Sequence, residues 1–352
     1  MSARWWHVGA DGRVACDLCP RRCRLREGQR GFCFVRQNVG GAMELVTYGR
    51  SSGFCVDPIE KKPLNHFHPG TPVFSFGTAG CNLACQFCQN WDIAAAREMD
   101  RLMDAATPDE IAAAAAKAGC RSVAYTYNDP IVFAEYALDT AAACRERGLL
   151  NVAVTAGHVS PEPRAEFFAG MDAANVDLKG FSADFYRKLT GGRLETVLET
   201  LAYLVHETTV WTEVTTLLIG GLNDSDQEVA ALSEWVAGEL GVDVPLHFTA
   251  FHPDHKLRHI PPTPAATLVR ARRLGLAAGL RHVYTGNAWT RDGGTTFCPG
   301  CGAAVVVRAG YDVTGWRLEE GRCADCGTSV AGHWDASPGG FGSRRVPVRL
   351  AR

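Results

Sequence analysis

Between about residues 72 and 288, short β-rich runs alternate with segments whose apolar residues recur every three to four positions. The runs TPVFSFG, SVAYTY, NVAVTA, NVDLKG, WTEVTTLLIG, PLHFTAF and HVYTGN carry the branched and aromatic residues that suit strands. Between them, DEIAAAAAKAG, DPIVFAEYALDTAAACRERG, ETVLETLAYLVHE, DSDQEVAALSEWVAGELG and TPAATLVRARRLGLAAGL show helical periodicity, most with a Gly stop. Strands that alternate with helices predict parallel pairing, because parallel neighbours need a crossover between them. Six or seven such units predict an α/β fold with an incomplete parallel (β/α) barrel.

At both ends this rhythm breaks. Residues 1–70 read as a Cys-rich extension ending in the loop-like DPIEKKPLNHFHPG, and 71–290 carry the barrel units. Residues 291–336 are Gly-rich with two CxxC pairs, and 337–352, SPGGFGSRRVPVRLAR, have the composition of a flexible tail. A length of 352 residues suits one main domain with satellites, since single cores stop growing near ~250–300 residues. The formal charge of -2 gives no overall basic field for nucleic acid or an anionic membrane. No apolar run reaches the roughly 18 residues of a membrane span, and MSARWWHVGADGR lacks the plan of a secretory signal, so a cytoplasmic location is expected.

Polar groups fall in a pattern that propensity alone would not produce. Nearly every predicted strand runs into a chemically capable residue: a cysteine loop after the first, Asn128 and Asp129 after the second, Thr155 and His158 after the third, Asp177 and Lys179 after the fourth, His252 after the sixth and Asn287 after the seventh. In parallel α/β barrels the C-terminal strand ends form one rim, and that rim carries the active site. These groups are therefore expected to converge. Of the fourteen cysteines, eleven fall into three tight clusters, which favours metal ligation over disulfides; Cys55, Cys120 and Cys144 stand apart and read as small buried residues.

The central cluster, GTAGCNLACQFCQNWD, spaces Cys81, Cys85 and Cys88 as C-x3-C-x2-C directly after a strand, with no fourth cysteine nearby. Three thiolates can hold three irons of a cubane cluster and leave the fourth iron open to substrate. A structural zinc site borrowing a distant His or Cys is the alternative. With Phe87 before the last cysteine, the motif resembles the signature of radical S-adenosylmethionine (SAM) enzymes. YGRSSGFCVDPIEKKPLNHFHPG, GCNLACQFCQNWDI, AYTYNDP, VDLKGF, EVTTLLIGGLNDS, FHPDHKL, PPTP and VYTGN extend the resemblance to the activating-enzyme-like branch, and within it to the radical SAM enzyme of the AmmeMemoRadiSam system.

That resemblance implies a [4Fe–4S] cluster on Cys81, Cys85 and Cys88, with SAM chelating the open iron and Phe87 helping to seat it. It implies that Asn128, Asp129 and Pro130 take the place of the segment that binds the SAM amino group, although the usual glutamate is here the shorter Asp129. A bland alternative is that Asp129 and Pro130 start a helix. Asp177 and Lys179 resemble a D-x-K pair that positions SAM and substrate; a buried ion pair is the alternative. Reductive cleavage of SAM to methionine and a 5′-deoxyadenosyl radical is implied, with flavodoxin or ferredoxin as electron donor and Memo-like and AMMECR-like proteins as companions. Hydrogen abstraction from a protein, as in glycyl-radical activation, is one substrate reading, and modification of RNA or a small molecule is another.

Two further clusters flank the barrel. Cys16, Cys19, Cys23 and Cys33 run C-x2-C-x3-C-x9-C among several arginines, which leaves zinc and an auxiliary iron–sulfur cluster both open. Cys298, Cys301, Cys323 and Cys326 form two CxxCG knuckles, the signature of a zinc ribbon or a rubredoxin-like iron site. If all three groups were closed sites, the chain would instead be a non-catalytic metal-binding adaptor or electron carrier. Arginines at 21–30 and in the tail supply charge for RNA but lack interleaved aromatics, and Trp5 and Trp6 read as packing residues.

Overall fold

All seven predicted strands lie side by side, in chain order, in the central sheet of the computed structural model, which describes residues 1–95 and 104–350. That sheet has nine strands: β1 (Phe54–Pro58), β2 (Pro72–Phe76), β3 (Ser122–Tyr125), β4 (Leu150–Thr155), β5 (Ala173–Asp177), β6 (Trp211–Leu218), β7 (Leu246–Ala250), β8 (Val283–Gly286) and β9 (Val346–Val348). Strands β2 to β8 are parallel, and β1 then β9 add antiparallel at the β2 edge.

The crossovers are α1 (Pro108–Lys117), α2 (Ala134–Arg145), α3 (Pro161–Phe168), α4 (Leu194–Glu207), α5 (Asp226–Trp235) and α6 (Ala265–Ala277). Local chemistry sets their ends: Thr107 and Glu110 close a capping box on α1, and Ser225 caps α5. Helix α3 escaped the periodicity reading because PEPRAEFF has two prolines and places its large apolar residues, Phe167 and Phe168, together at one end.

Register decides which face meets the helices. Phe74, Val123, Ala153, Ala174, Val214 and Leu246 share one face and pack in a single core with Ile111, Tyr136, Phe167, Val197 and Leu232. With all crossovers on that face and no reversal of strand order, the winding is of the barrel type rather than doubly wound. On the opposite face Val73, Ala124, Val152 and Ala173 pack against Ile59, Leu64 and Phe67 of the DPIEKKPLNHFHPG segment.

This loop closes the lower half of the inner face. Buried Glu213 of β6 accepts hydrogen bonds from the backbone N–H groups of Asn65 (3.0 Å) and His66 (2.8 Å) and from Trp211 Nε1 (3.0 Å), and it meets His247 Nε2 at 2.7 Å. His66 contacts Tyr284 of β8 through Nε2 (2.5 Å) and the Ala331 carbonyl through Nδ1 (2.6 Å). The C-terminal module thereby docks on the loop, with buried Arg308 donating to the Asn65 carbonyl. The module has its own three-stranded antiparallel sheet and a small core of Val305, Val306, Leu318 and Val330.

Two expected boundaries move. Residues 54–58, assigned to the N-terminal extension, are a strand of the central sheet, and 337–350, the described part of the expected tail 337–352, is not loose: Val346 pairs with Val56 in β9, and Gly339 N donates to the Pro69 carbonyl at 2.9 Å. The apolar alternation VPV is too short to stand out among glycine and arginine. Cys55, Cys120 and Cys144 are buried, Trp5 is buried with Trp6 packed beside it, and no helix among the described residues is long and apolar enough to cross a membrane.

Candidate functional site

The cysteine loop leaves β2 through glycines that no larger residue could replace. A Cβ on Gly77 would sit 2.3 Å from the Thr126 carbonyl oxygen. Gly80 has φ +79°, and a Cβ there would lie 2.0 Å from the Cys33 carbonyl oxygen, so the N-terminal extension lies directly on the loop. Asn128 fastens the loop from the far side: its Oδ1 accepts from Thr78 N (2.9 Å) and its Nδ2 donates to the Gly80 carbonyl (2.8 Å). Ala84 N and Gln86 N donate to the Thr190 and Leu189 carbonyls, both at 2.8 Å.

This bracing presents Cys81, Cys85 and Cys88, all partly exposed, as one electrostatic group. Burial pushes the Cys85 thiol up to about 12 and raises Cys81 and Cys88 as well; Cys81 is lifted further by Asp129 and Cys85. As thiols they would stay protonated at neutral pH, so ligation must expel the protons, as metal binding does.

Asp129 and Lys179 lie within electrostatic reach of the cysteine loop. The charge of Lys179 reaches Cys85, Cys88 and Asp129. Burial disfavours the Lys179 ammonium, yet Asp177 at 2.7 Å and the Cys85 sulfur outweigh it and raise its pKa. Asp129 is raised by burial, against the N–H groups of Ala156 (2.9 Å) and Ile131 (3.0 Å) and the Thr155 hydroxyl (3.0 Å), all of which favour its charge. Its carboxylate also caps the 3-10 turn Pro130–Phe133, the structural role weighed from sequence.

Other predicted residues sit differently. Phe87 is buried and packs on Phe185 with ring centroids 5.9 Å apart, so it anchors the loop from beneath. Asn128 spends its whole side chain on the loop, on its backbone and on the Thr78 hydroxyl. His158 is buried; its carbonyl holds Asn82 Nδ2 at 2.7 Å, its Nε2 accepts from Arg193 N at 3.3 Å, and Nδ1 has no partner. Exposed His252 lies with Nε2 3.2 Å from the Asn287 carbonyl. Arg21, which the sequence reading treated only as one of many arginines, donates through Nε to the Asn82 carbonyl (2.5 Å) and through Nη2 to the Gly191 carbonyl (2.8 Å). It borders a cavity of about 600 Å³ also lined by His158, Arg187, Arg193 and Glu195. Only a tertiary contact reveals that role.

The cysteine groups have two geometries. Cys298 and Cys326 have sulfurs 3.5 Å apart, Cys301 and Cys323 3.7 Å, and all four lie within 4.8 Å of one another. The edge of a tetrahedron with metal–sulfur bonds of about 2.3 Å is about 3.8 Å, so this set fits a single ion. Among the described residues no other three Cys, His, Asp or Glu are gathered so tightly. Cys81, Cys85 and Cys88 are not gathered in this way.

Residues 76–236 match the model of the Radical SAM superfamily. The uncharacterized protein MJ0808 of Methanocaldococcus jannaschii is 41% identical over 322 residues, covering 91% of this chain and 96% of that protein. Among solved structures, a radical SAM methyltransferase from Sphaerobacter thermophilus aligns with TM-score 0.48 and 18% identity over 63% of this chain and 68% of its own. A domain of the pyruvate-formate lyase-activating enzyme from Bacteroides vulgatus aligns with TM-score 0.42 and 15% identity over 47% of this chain and 99% of its own. With three cysteines braced beside Asp129 and Lys179 after the first parallel strand, the chain belongs to the Radical SAM superfamily.

Proposed function

We propose that Cys81, Cys85 and Cys88 ligate a [4Fe–4S] cluster whose fourth iron takes SAM, and that the enzyme abstracts hydrogen from a substrate entering at the cysteine rim. The observation that carries this reading is a loop that presents three cysteines with no fourth cysteine near them in the chain, with the Asp129 carboxylate and the Lys179 ammonium within electrostatic reach of them. When bound, the reduced cluster supplies the electron that splits SAM into methionine and a 5′-deoxyadenosyl radical. Asp129 and the strand-end carbonyls suit the SAM ammonium, and Lys179 suits its carboxylate. The partial-barrel wall keeps water from the reacting groups.

Resemblance to activating enzymes supports a protein as hydrogen donor, with Memo-like and AMMECR-like proteins as the partners to test first and flavodoxin or ferredoxin as reductant. The C-terminal quartet, spaced for one ion, is assigned to structural zinc in a ribbon. Anaerobically reconstituted protein, reduced with dithionite and given SAM, is expected to yield 5′-deoxyadenosine by mass spectrometry, and Cys85→Ala is expected to yield none. Zinc without four irons on the loop would sink the reading in favour of a closed structural site.

A further inference from the structure

The N-terminal cysteines are brought together in three dimensions. Cys16, Cys19, Cys23 and Cys33 line one cavity with Arg21, Arg36 and Asn82. The fold of the segment aims them there: Cys16 N donates to the Cys23 carbonyl (2.8 Å), a turn runs from Cys19 to Arg22, and Phe32 N points at Cys23 Sγ (3.5 Å). Charge does not choose the metal, because four thiolates leave a net of two negative charges on either a zinc ion or a 2+ iron–sulfur core. Spacing does. No three of these sulfurs lie within 4.8 Å of one another, unlike the ribbon quartet and like Cys81, Cys85 and Cys88.

A second observation points to an acceptor inside the cavity. Arg36 is 1% exposed, its Nη2 is held by both oxygens of Glu135 (2.7 and 2.6 Å) and its Nη1 by the Arg4 carbonyl (3.0 Å), yet its buried Nε has no partner. An orphaned buried donor is costly, and cluster sulfurs accept such hydrogen bonds. We propose that Cys16, Cys19, Cys23 and Cys33 hold a second iron–sulfur cluster, packed directly against the loop that carries the SAM-binding one. The two loops touch where the Cys33 carbonyl meets Gly80, one residue before Cys81. One guanidinium, that of Arg21, faces both sets: its charge is coupled to Cys19, Cys23, Cys33 and Cys81.

The test separates this cluster from the SAM-binding one and from the ribbon. In the triple variant Cys81→Ala/Cys85→Ala/Cys88→Ala, reconstituted anaerobically, the N-terminal cluster is expected to remain, with iron and roughly half the acid-labile sulfide of the wild type. Neither zinc nor mononuclear iron in the ribbon contributes sulfide. Adding Cys16→Ser and Cys19→Ser is expected to abolish it, while those two changes alone leave the SAM-binding cluster. The reduced wild type is expected to show electron paramagnetic resonance signals broadened by spin–spin coupling, absent from either variant. A triple variant that holds zinc and no sulfide overturns the proposal, even if the Cys16→Ser/Cys19→Ser protein fails to fold. Sulfide in the triple variant together with none in the Cys16→Ser/Cys19→Ser variant would instead defeat the SAM-cluster reading.

Discussion

Gly80→Ala tests whether the cysteine loop and the N-terminal extension are one structural unit. An alanine at φ +79° costs about 1–2 kcal/mol in the left-handed region. Its methyl carbon would then lie 2.0 Å from the Cys33 carbonyl oxygen, a backbone atom that cannot rotate away, and forcing such contacts apart costs about 1–3 kcal/mol. The total is about 2–5 kcal/mol. Gly148 provides the matched control, since it has φ +69° with nothing within 4 Å of an added Cβ, so Gly148→Ala carries only the backbone cost of about 1–2 kcal/mol. At ~2.1 cal/mol/K per residue over 352 residues, each kcal/mol shifts the melting temperature by about 1.4 °C. Gly80→Ala is therefore expected to melt about 3–7 °C lower and Gly148→Ala about 1–3 °C lower. The first variant is also expected to lose iron after anaerobic reconstitution, the second to keep it. Equal melting temperatures and equal iron in the two variants would refute the close packing of the two loops.

Two further outcomes follow from the charges. Burial holds His282 down to about 4 and His66 well below its ordinary value, with the two rings 4.4 Å apart. The unfolded chain takes up protons below about pH 6.5 that the folded chain refuses, so stability present above that pH is lost as pH falls toward 4, by up to about 1.4 kcal/mol per pH unit for each histidine. Urea midpoints at pH 7, 6 and 5 read this directly, and a constant midpoint contradicts it. Lys179→Met removes the ammonium that faces Cys85 and Cys88 and is expected to weaken SAM binding at least about tenfold, or about 1.4 kcal/mol, at unchanged iron content in equilibrium dialysis. Unchanged affinity would reduce the Asp177–Lys179 pair to a structural role.

The alternation of branched runs and amphipathic segments made the parallel sheet legible because each strand–helix unit buries its own faces. Strand β1 was hidden inside a segment dominated by its cysteine and charged neighbours, and β9 is a strand only because β1 offers it an edge. At the site, residue type announced the sulfur ligands, since little else uses three cysteines in eight positions. It did not announce support. That Asn128 is spent on the loop, that Phe87 faces inward and that Arg21 bridges two cysteine groups are tertiary facts, set by chain segments separated by 48 to 170 positions. Spacing along the chain showed three cysteine clusters; only spacing between sulfurs divided them into two kinds.

The loop from Ile59 to His68 has a consequence for traffic. With Leu64 and Phe67 packed against the strands, and Arg308 and Ala331 of the C-terminal module bonded to the loop behind them, the lower half of the inner face is filled with protein among the described residues. On the proposed function, what reacts would arrive and depart past the cysteine rim. A macromolecular substrate can offer only what protrudes, a terminus or an exposed turn, and while that segment is seated it corks the doorway. On the proposed function, methionine and nucleoside released from SAM would wait behind such a substrate, so the order of release, rather than the speed of bond breaking, would govern how often the enzyme can fire.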